Sequence, residues 1–158
     1  MPVDKSTRAA SIDRMGDVMR EFMARAVLFQ DAVARFGGIN STDMQAVGLL
    51  MSQGPATPGE LAERTGLTAG GAITAVIDRL ERAGYVTRER DVADRRRVIV
   101  TAVPETVMAK VGPIYGRVGA RWAEYLETLT DEQIEFANEL LARAAELNRE
   151  ETEALRRA

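Results

Sequence analysis

The sequence predicts a mainly α-helical fold with one small β-hairpin. Apolar residues recur at helical spacing through most of the chain, and the period changes to strand-like alternation only after Gly84. Three segments also match the capping-box pattern that opens a helix, at 42–45, 57–60 and 130–133. With 158 residues, the chain is long enough for one domain and too short for two ordinary ones. We therefore expect a single domain over residues 1–158.

The first two predicted helices are separated by a glycine pair. A long amphipathic helix runs from about Ser11 to Phe36 and ends at Gly37-Gly38, and a second lies near 42–52, with Thr42 as its cap. Gly54-Pro55 ends the second helix. The apolar stripe of the first helix comprises Ile12, Met15, Met19, Phe22, Met23, Ala26, Val27 and Ala34.

The next two predicted helices form a helix-turn-helix pattern. Thr57 and Glu60 make the second capping box, with Pro58 at the first helical position, where its missing N–H does no harm. This short helix stops at Gly66, and the segment from Thr68 to Ala83 follows after a turn of about three residues. Its apolar stripe comprises Ile73, Val76, Ile77 and Leu80.

A hairpin and two long helices complete the chain. Residues 85–90 and 97–101 read as strands around a charged tip at 91–95. Beyond Pro104 a helix runs to about Leu126, and we expect Pro113 to kink or break it, because its ring clashes with the carbonyl of Ala109. Thr130 opens the last helix.

These elements predict two lobes within the single domain. Residues 39–103 make a winged helix-turn-helix lobe, while 1–38 and 104–158 are long amphipathic helices without partners in that lobe. Packing these end helices against the same set from a second copy would bury their apolar stripes in a symmetric interface. The sequence therefore predicts a homodimer.

Composition excludes several classes of site. The chain has no Cys and no His, which removes disulfides, thiolate chemistry, Cys/His metal sites and imidazole catalysis, so we expect neither metal nor cofactor. The formal net charge is −3, so any contact with nucleic acid must come from locally concentrated arginine. No apolar run approaches a membrane span of about 18 residues, and the N-terminus lacks the apolar core of a signal peptide. We expect a cytoplasmic protein.

The stretch from Thr65 to Val103 resembles the MarR family of bacterial regulators. Two motifs carry the resemblance: IDRLERAGYV at 77–86, and a wing with Asp91, Asp94, Arg95 and Arg96 before Val-Ile-Val at 98–100. The resemblance implies a recognition helix in the DNA major groove, a wing tip directed to the minor groove, and dimerisation through the terminal helices. The sequence departs from the family pattern by Val92 in place of a common wing Pro, Val103-Pro104 in place of Leu-Thr, and Gly70-Gly71 at the recognition-helix start.

Arginines of the hairpin are the strongest candidates for DNA contact, since guanidinium groups bind phosphates and enter narrow minor grooves. The alternative is a solvated hairpin whose arginines pair with Glu89, Asp91 and Asp94.

We expect Asp94 to orient a neighbouring arginine, Asp78 to be structural, and Arg79 to hold phosphate or bridge to the wing. The recognition helix lacks bidentate base readers in its first turns, so we expect specificity from the wing and DNA shape. The candidate DNA-binding residues are Thr68, Ala69, Gly70, Gly71, Thr74, Arg79, Arg88, Arg90, Arg95, Arg96 and Arg97.

The resemblance also implies a small ligand, often aromatic or acidic, held between the two lobes. Arg121 or Arg117 would hold the carboxylate of an acid. Core packing is the default interpretation of the apolar members, because methionines and aromatics at helical spacing are usually core. The candidate effector-pocket residues are Met19, Phe22, Met23, Met51, Tyr115, Arg121 and Trp122.

The sequence thus predicts a sequence-specific, double-stranded DNA-binding repressor that acts on a pseudo-palindromic operator and is released by a small-molecule effector. One rival is a winged-helix module that binds an acidic protein partner and has only non-specific DNA affinity. Another is an enzyme using Glu60 and Glu63 as acid and base. Those two carboxylates lie on one short helix without a pocket signal or a metal-binding companion, so we expect no enzyme.

Overall fold

A computed structural model of the protein describes residues 5–68 and 70–157. The chain forms two compact units, Met1–Val111 and Gly112–Ala158. The mainly α prediction with one hairpin is confirmed. The elements are α1 (Lys5–Phe36), α2 (Ser41–Gln53), α3 (Pro58–Thr65), α4 (Gly71–Arg82), β1 (Val86–Arg90), β2 (Val98–Ala102), α5 (Pro104–Leu126) and α6 (Asp131–Arg157).

Helices α1 and α2 differ from prediction at their starts. Helix α1 is already helical at Lys5, ahead of the predicted Ser11. The predicted cap at Thr42 is wrong: Asn40 caps α2, its side chain accepting the backbone N–H of Asp43 at 2.8 Å. Asparagine satisfies an orphan N–H of the first turn as well as threonine does, so α2 begins one residue before Thr42.

Helix α3 begins as predicted. Glu60 accepts the Thr57 backbone N–H at 2.7 Å, the Thr57 hydroxyl accepts the Glu60 backbone N–H at 3.3 Å, and Pro58 is the first helical residue. Gly66 ends α3 with φ of 73°, a left-handed conformation that glycine adopts without strain. Helix α4 begins at Gly71 rather than at Thr68, so the turn is longer than the predicted three residues.

The wing is a two-stranded antiparallel sheet in which Val86 pairs with Ala102 and Arg90 with Val98. It is fixed to the linker between α2 and α3 by a bridge. Ala56 donates its N–H to the Val100 carbonyl at 3.1 Å, and Val100 donates to the Ala56 carbonyl at 2.8 Å. The base of the wing is therefore part of the folded lobe, and only its tip projects.

Helix α5 contains Pro113 and continues past it to Leu126, so of the two predicted outcomes the break does not occur. Pro113 removes one intrahelical hydrogen bond, that to Ala109, and the remaining bonds of the long helix hold the helical course. Thr130 caps α6 as predicted: its hydroxyl accepts the Gln133 backbone N–H at 3.3 Å, and Gln133 accepts the Thr130 N–H at 2.9 Å. No helix in the described ranges is long and apolar enough to cross a membrane.

The apolar core lies in the first unit, where α2, α3, α4 and the base of the wing meet. In contrast, no described residue of α6 is buried, and the apolar stripe of α1 is largely exposed. Core packing is the default for the effector-pocket candidates of α1, but Phe22 and Met23 are 51% and 47% exposed in the single chain. The largest fully buried apolar side chains are Val33, Val47, Leu61, Ile73, Ile77, Leu80, Tyr85, Val100 and Val111.

Candidate nucleic-acid interface

Helix α4 presents a face of small side chains opposite its buried stripe. Ile73, Val76, Ile77 and Leu80 are each at most 3% exposed, while the residues facing away are Gly71, Ala72, Thr74 and Ala75, all exposed. The Thr74 hydroxyl donates to the Gly70 carbonyl at 2.8 Å. A helix with so little bulk on its outer face can approach another surface closely, and it carries no long side chain for bidentate base recognition there.

The candidates before α4 fall in the turn. Thr68 is exposed and lies outside α4, and Ala69 lies outside the described residues. Gly70 is the N-cap with φ of 110°, a conformation that other residues adopt only under strain. Helix α4 therefore begins without a side-chain cap, at a backbone conformation that glycine adopts easily.

Arg79 anchors α4 to α2. Its Nε donates to one oxygen of Asp43 at 3.0 Å and its Nη2 to the other at 2.7 Å, a bidentate ion pair. The Asp43 side chain is 1% exposed and that of Arg79 is 41% exposed. The hydrogen bonds to Asp43 raise the pKa of Arg79 above its ordinary value. The predicted bridge from Arg79 to the wing is therefore wrong.

Arg88 makes the bridge between recognition helix and wing instead. Its guanidinium lies on β1 and forms an ion pair with Asp78 of α4, and its Nε lies 3.5 Å from Glu81 of the same helix. The Arg88 side chain is only 28% exposed. This contact gives Asp78 a structural role, and it ties the wing and α4 into one piece.

Two aspartates shape the wing tip through backbone hydrogen bonds. Asp91 accepts the Ala93 backbone N–H at 2.8 Å, and Asp94 accepts the Arg96 backbone N–H at 3.0 Å. These are Asx turns, which replace missing backbone partners in a tight loop. Asp94 therefore acts on the backbone of its neighbouring arginine.

Of the remaining wing arginines, Arg90 and Arg97 contact other groups of the lobe, whereas Arg95 and Arg96 project from the wing. Arg90 donates to the Arg95 carbonyl at 2.9 Å, and Arg97 lies 3.4 Å from Glu60 at the start of α3. The backbone N–H of Thr57, its hydroxyl and the nearby arginines lower the pKa of Glu60, which keeps the carboxylate charged beside Arg97. Within residues 70–157, neither the Arg95 nor the Arg96 guanidinium takes part in an ion pair, and both side chains are exposed.

The effector-pocket candidates fall on three helices. Met19, Phe22 and Met23 lie on α1, and Met51 is exposed on α2. Tyr115 is exposed on α5. On the same helix, Arg121 and Trp122 line a surface cavity of about 510 Å³ together with Val118 and Tyr125. The Trp122 and Tyr125 rings meet edge to face, with centroids 6.0 Å apart.

Two carboxylates of this site were missed by sequence reasoning. In the sequence, Asp43 is only a position within the 42–45 capping-box pattern, and Glu60 is only a cap or, in the enzyme alternative, an acid or base. A signal for Glu60 is its place at the start of α3, directly after the linker whose Ala56 is bridged to the wing. For Asp43 the sequence held no such signal.

A sequence profile described as the MarR family matches residues 37–97. The HTH-type transcriptional regulator YcgE of Bacillus subtilis is 37% identical over 140 residues, which cover 88% of this chain and 89% of YcgE. This chain belongs to the MarR family of transcriptional regulators. The HTH-type transcriptional regulator MhqR of Bacillus subtilis is 28% identical over 106 residues, covering 67% of this chain and 72% of MhqR.

Solved MarR-type structures share the fold. A MarR family protein of Bacillus stearothermophilus superposes with a TM-score of 0.68 at 22% identity, covering 91% of this chain and 97% of that chain. Streptococcus pneumoniae FabT, solved in complex with DNA, gives a TM-score of 0.68 at 19% identity, covering 88% of this chain and 98% of FabT. These likenesses confirm the fold, and the family match identifies the protein as a transcriptional regulator.

The Asp43–Arg79 pair generates a stability prediction. Arg79→Ala leaves a buried carboxylate without its partner, and we expect the free energy of unfolding to fall by about 3 kcal/mol, the lower end of the range for a broken buried pair. Urea denaturation at one fixed protein concentration measures the loss.

The matched control is Asp43→Leu/Arg79→Met, in which both charges are removed and apolar bulk remains. We expect most of the lost stability to return, because the cost in the single variant arises from the unpaired charge. A double variant no more stable than Arg79→Ala would contradict this account.

Proposed function

We propose that this MarR-family protein binds a pseudo-palindromic duplex operator as a homodimer and represses transcription until a small molecule releases it. The observation that carries the DNA contact is the wing. Arg95 and Arg96 project from a tip held by Asx turns, while Arg88 fixes the same wing to α4. Two exposed guanidinium groups on a held wing backbone, next to a helix whose first turns carry small side chains, suit a minor-groove contact beside a major-groove helix.

The unpartnered apolar faces support the homodimer. In the single chain, Phe22 of α1 is 51% exposed, and Phe136 and Leu141 of α6 are 63% and 54% exposed. Large apolar side chains left exposed on long helices indicate interfaces, because leaving them in water costs free energy. A second copy of the chain can cover these apolar faces with its own. The symmetry of such a dimer gives two recognition helices for a palindromic site.

The cavity on α5 supports an effector of aromatic or acidic character. Trp122 and Tyr125 offer ring faces and edges to an aromatic group, and Arg121 offers a guanidinium to a carboxylate. Such a ligand would release DNA only in proportion to its differential affinity for the DNA-free form. DNA as target also makes the cytoplasm our proposed place of action.

Selection of bound duplexes from a random DNA pool tests the DNA contact. We expect a palindrome with half-sites roughly 34 Å apart, one turn of DNA. Arg95→Ala/Arg96→Ala should weaken binding and reduce the slope of log affinity against log salt by about four for the dimer, because each of its two wings loses two arginines and each lost phosphate contact removes about one.

The matched control for this experiment is Arg20→Ala, an exposed arginine on α1, outside the recognition helix and the wing. Its salt slope should stay at the wild-type value. Steeply salt-dependent binding without a selected sequence would contradict the operator proposal. The wing would then be a surface for an acidic protein partner.

Leu141→Glu tests the homodimer. A carboxylate in the apolar face of α6 should not be buried without a partner, so we expect the variant to sediment as a monomer and to lose palindrome binding. Ala142→Glu places the same charge on the neighbouring, polar side of α6 and should remain dimeric. A wild-type protein that sediments as a monomer at micromolar concentration would contradict the proposal.

Arg121→Ala tests the effector cavity. Binding of an aromatic carboxylate such as benzoate, followed by Trp122 fluorescence, should weaken at least about tenfold, the effect of losing roughly 1.4 kcal/mol of charge-assisted hydrogen bonding. The control Arg117→Ala removes an arginine on the same helix that does not line this cavity. Equal affinities of wild type and Arg121→Ala would refute a carboxylate role for Arg121.

A further inference from the structure

Tyr85 lies at the meeting point of four segments in the first unit. It follows the end of α4, begins the wing, and is 0% exposed. Its backbone N–H donates to the Leu80 carbonyl at 2.9 Å, and its own carbonyl accepts the Val103 N–H at 2.8 Å. Its hydroxyl donates to the Gly37 carbonyl at 2.7 Å, at the end of α1.

The fit around this hydroxyl leaves no space for a side chain at position 37. A Cβ on Gly37 would lie 2.5 Å from the Tyr85 hydroxyl oxygen and 2.9 Å from Cγ1 of Val111 on α5. Both distances are shorter than atoms tolerate, and Val111 is itself buried. Glycine at this position therefore serves a close approach of α1 to Tyr85 and α5.

Lys110 contacts both the Tyr85 ring and the carboxyl end of α4. Its ammonium group donates to the Ala83 carbonyl at 2.6 Å and lies 4.6 Å from the centre of the Tyr85 ring. Ala83 is the C-cap of α4. A cation at the carboxyl end of a helix is favoured by the helix dipole, and a cation over a tyrosine ring is favoured by the ring quadrupole.

We propose that Gly37, Tyr85 and Lys110, here named the Tyr85 joint, are positioning residues that set the placement of the recognition helix α4 relative to α1. The inference rests on the proposed function, in which α1 contributes to the dimer and α4 to each half-site. Because α1 is shared with the second copy in that arrangement, an angle fixed at the joint becomes a fixed distance between two recognition helices. The joint therefore determines which half-site spacing the protein accepts.

The length of α4 explains why a few contacts at one end of the helix affect the position of the other end. The joint holds α4 at its carboxyl end, while the outer face of small residues begins at Gly71, twelve residues of helix away. A helix of that length spans about 18 Å, so a small change of angle at Ala83 moves its far end by several ångströms. One added base pair shifts a half-site by about 3.4 Å and rotates it by about one-tenth of a turn.

The test measures binding to duplexes that carry the selected half-sites at the selected spacing and with one base pair added or removed. We expect wild type to bind the altered duplexes roughly tenfold more weakly, the scale of one mismatched base pair. In Lys110→Met, which keeps the aliphatic stem and removes the ammonium, we expect this penalty to fall to about threefold or less. Tyr85→Phe, which retains the ring and loses the hydroxyl, should do the same.

Two controls separate positioning from simple loss of stability. Lys110→Arg retains a cation that can bond Ala83 and stack on Tyr85, so its spacing penalty should return to the wild-type value. Ile77→Val trims the buried face of the same recognition helix without touching the joint, and it should lower thermal stability with the spacing penalty intact.

The outcomes distinguish the joint from the function on which it rests. Wild-type protein that binds all spacings equally would overturn the two-half-site mode and the joint with it. A wild-type penalty that survives unchanged in both Lys110→Met and Tyr85→Phe would overturn the joint alone. A penalty reduced in these two variants and retained in both controls supports it.

Discussion

The position of the recognition helix relative to α2 depends on the ion pair between Asp43 and Arg79. Apolar burial of Ile73 and Leu80 holds α4 against the core, but apolar contact is not directional and permits sliding. A buried carboxylate is costly without a partner. Because Asp43 is buried and accepts both hydrogen bonds from Arg79, α4 must pass α2 where that guanidinium reaches it. One directional contact thus selects the register of an otherwise adaptable interface.

Local interactions explain which parts of the fold were predictable. The starts of α3 and α6 are set by capping boxes whose two partners are three residues apart, at Thr57 and Thr130, so the sequence motif contains the whole interaction. The start of α2 was not predictable in this way. Thr42 offered the same motif, but the turn at Gly38, with φ of 77°, places Asn40 at the helix start.

The candidate site was predictable as a cluster of arginines and not as a set of contacts. Arg88 pairs with Asp78 ten positions away, whereas Arg97 finds Glu60 and Arg79 finds Asp43 at separations of 37 and 36. Spacing rules for helices cover three or four positions and strand pairing covers the hairpin, so neither rule connects these residues. Only the packed lobe decides which arginine is held by a carboxylate and which one projects.

This division of the arginines bears on how a chain of net charge −3 can select a DNA sequence. With Arg79, Arg88 and Arg97 occupied by carboxylates, the proposed contact has few free charges, and the first turns of α4 carry no long base-reading side chain. Discrimination must then come from shape and placement, which a loosely held wing or helix cannot deliver. The ion pairs, the bridge between Ala56 and Val100, and the contacts at Tyr85 supply the rigidity that this mode of recognition requires.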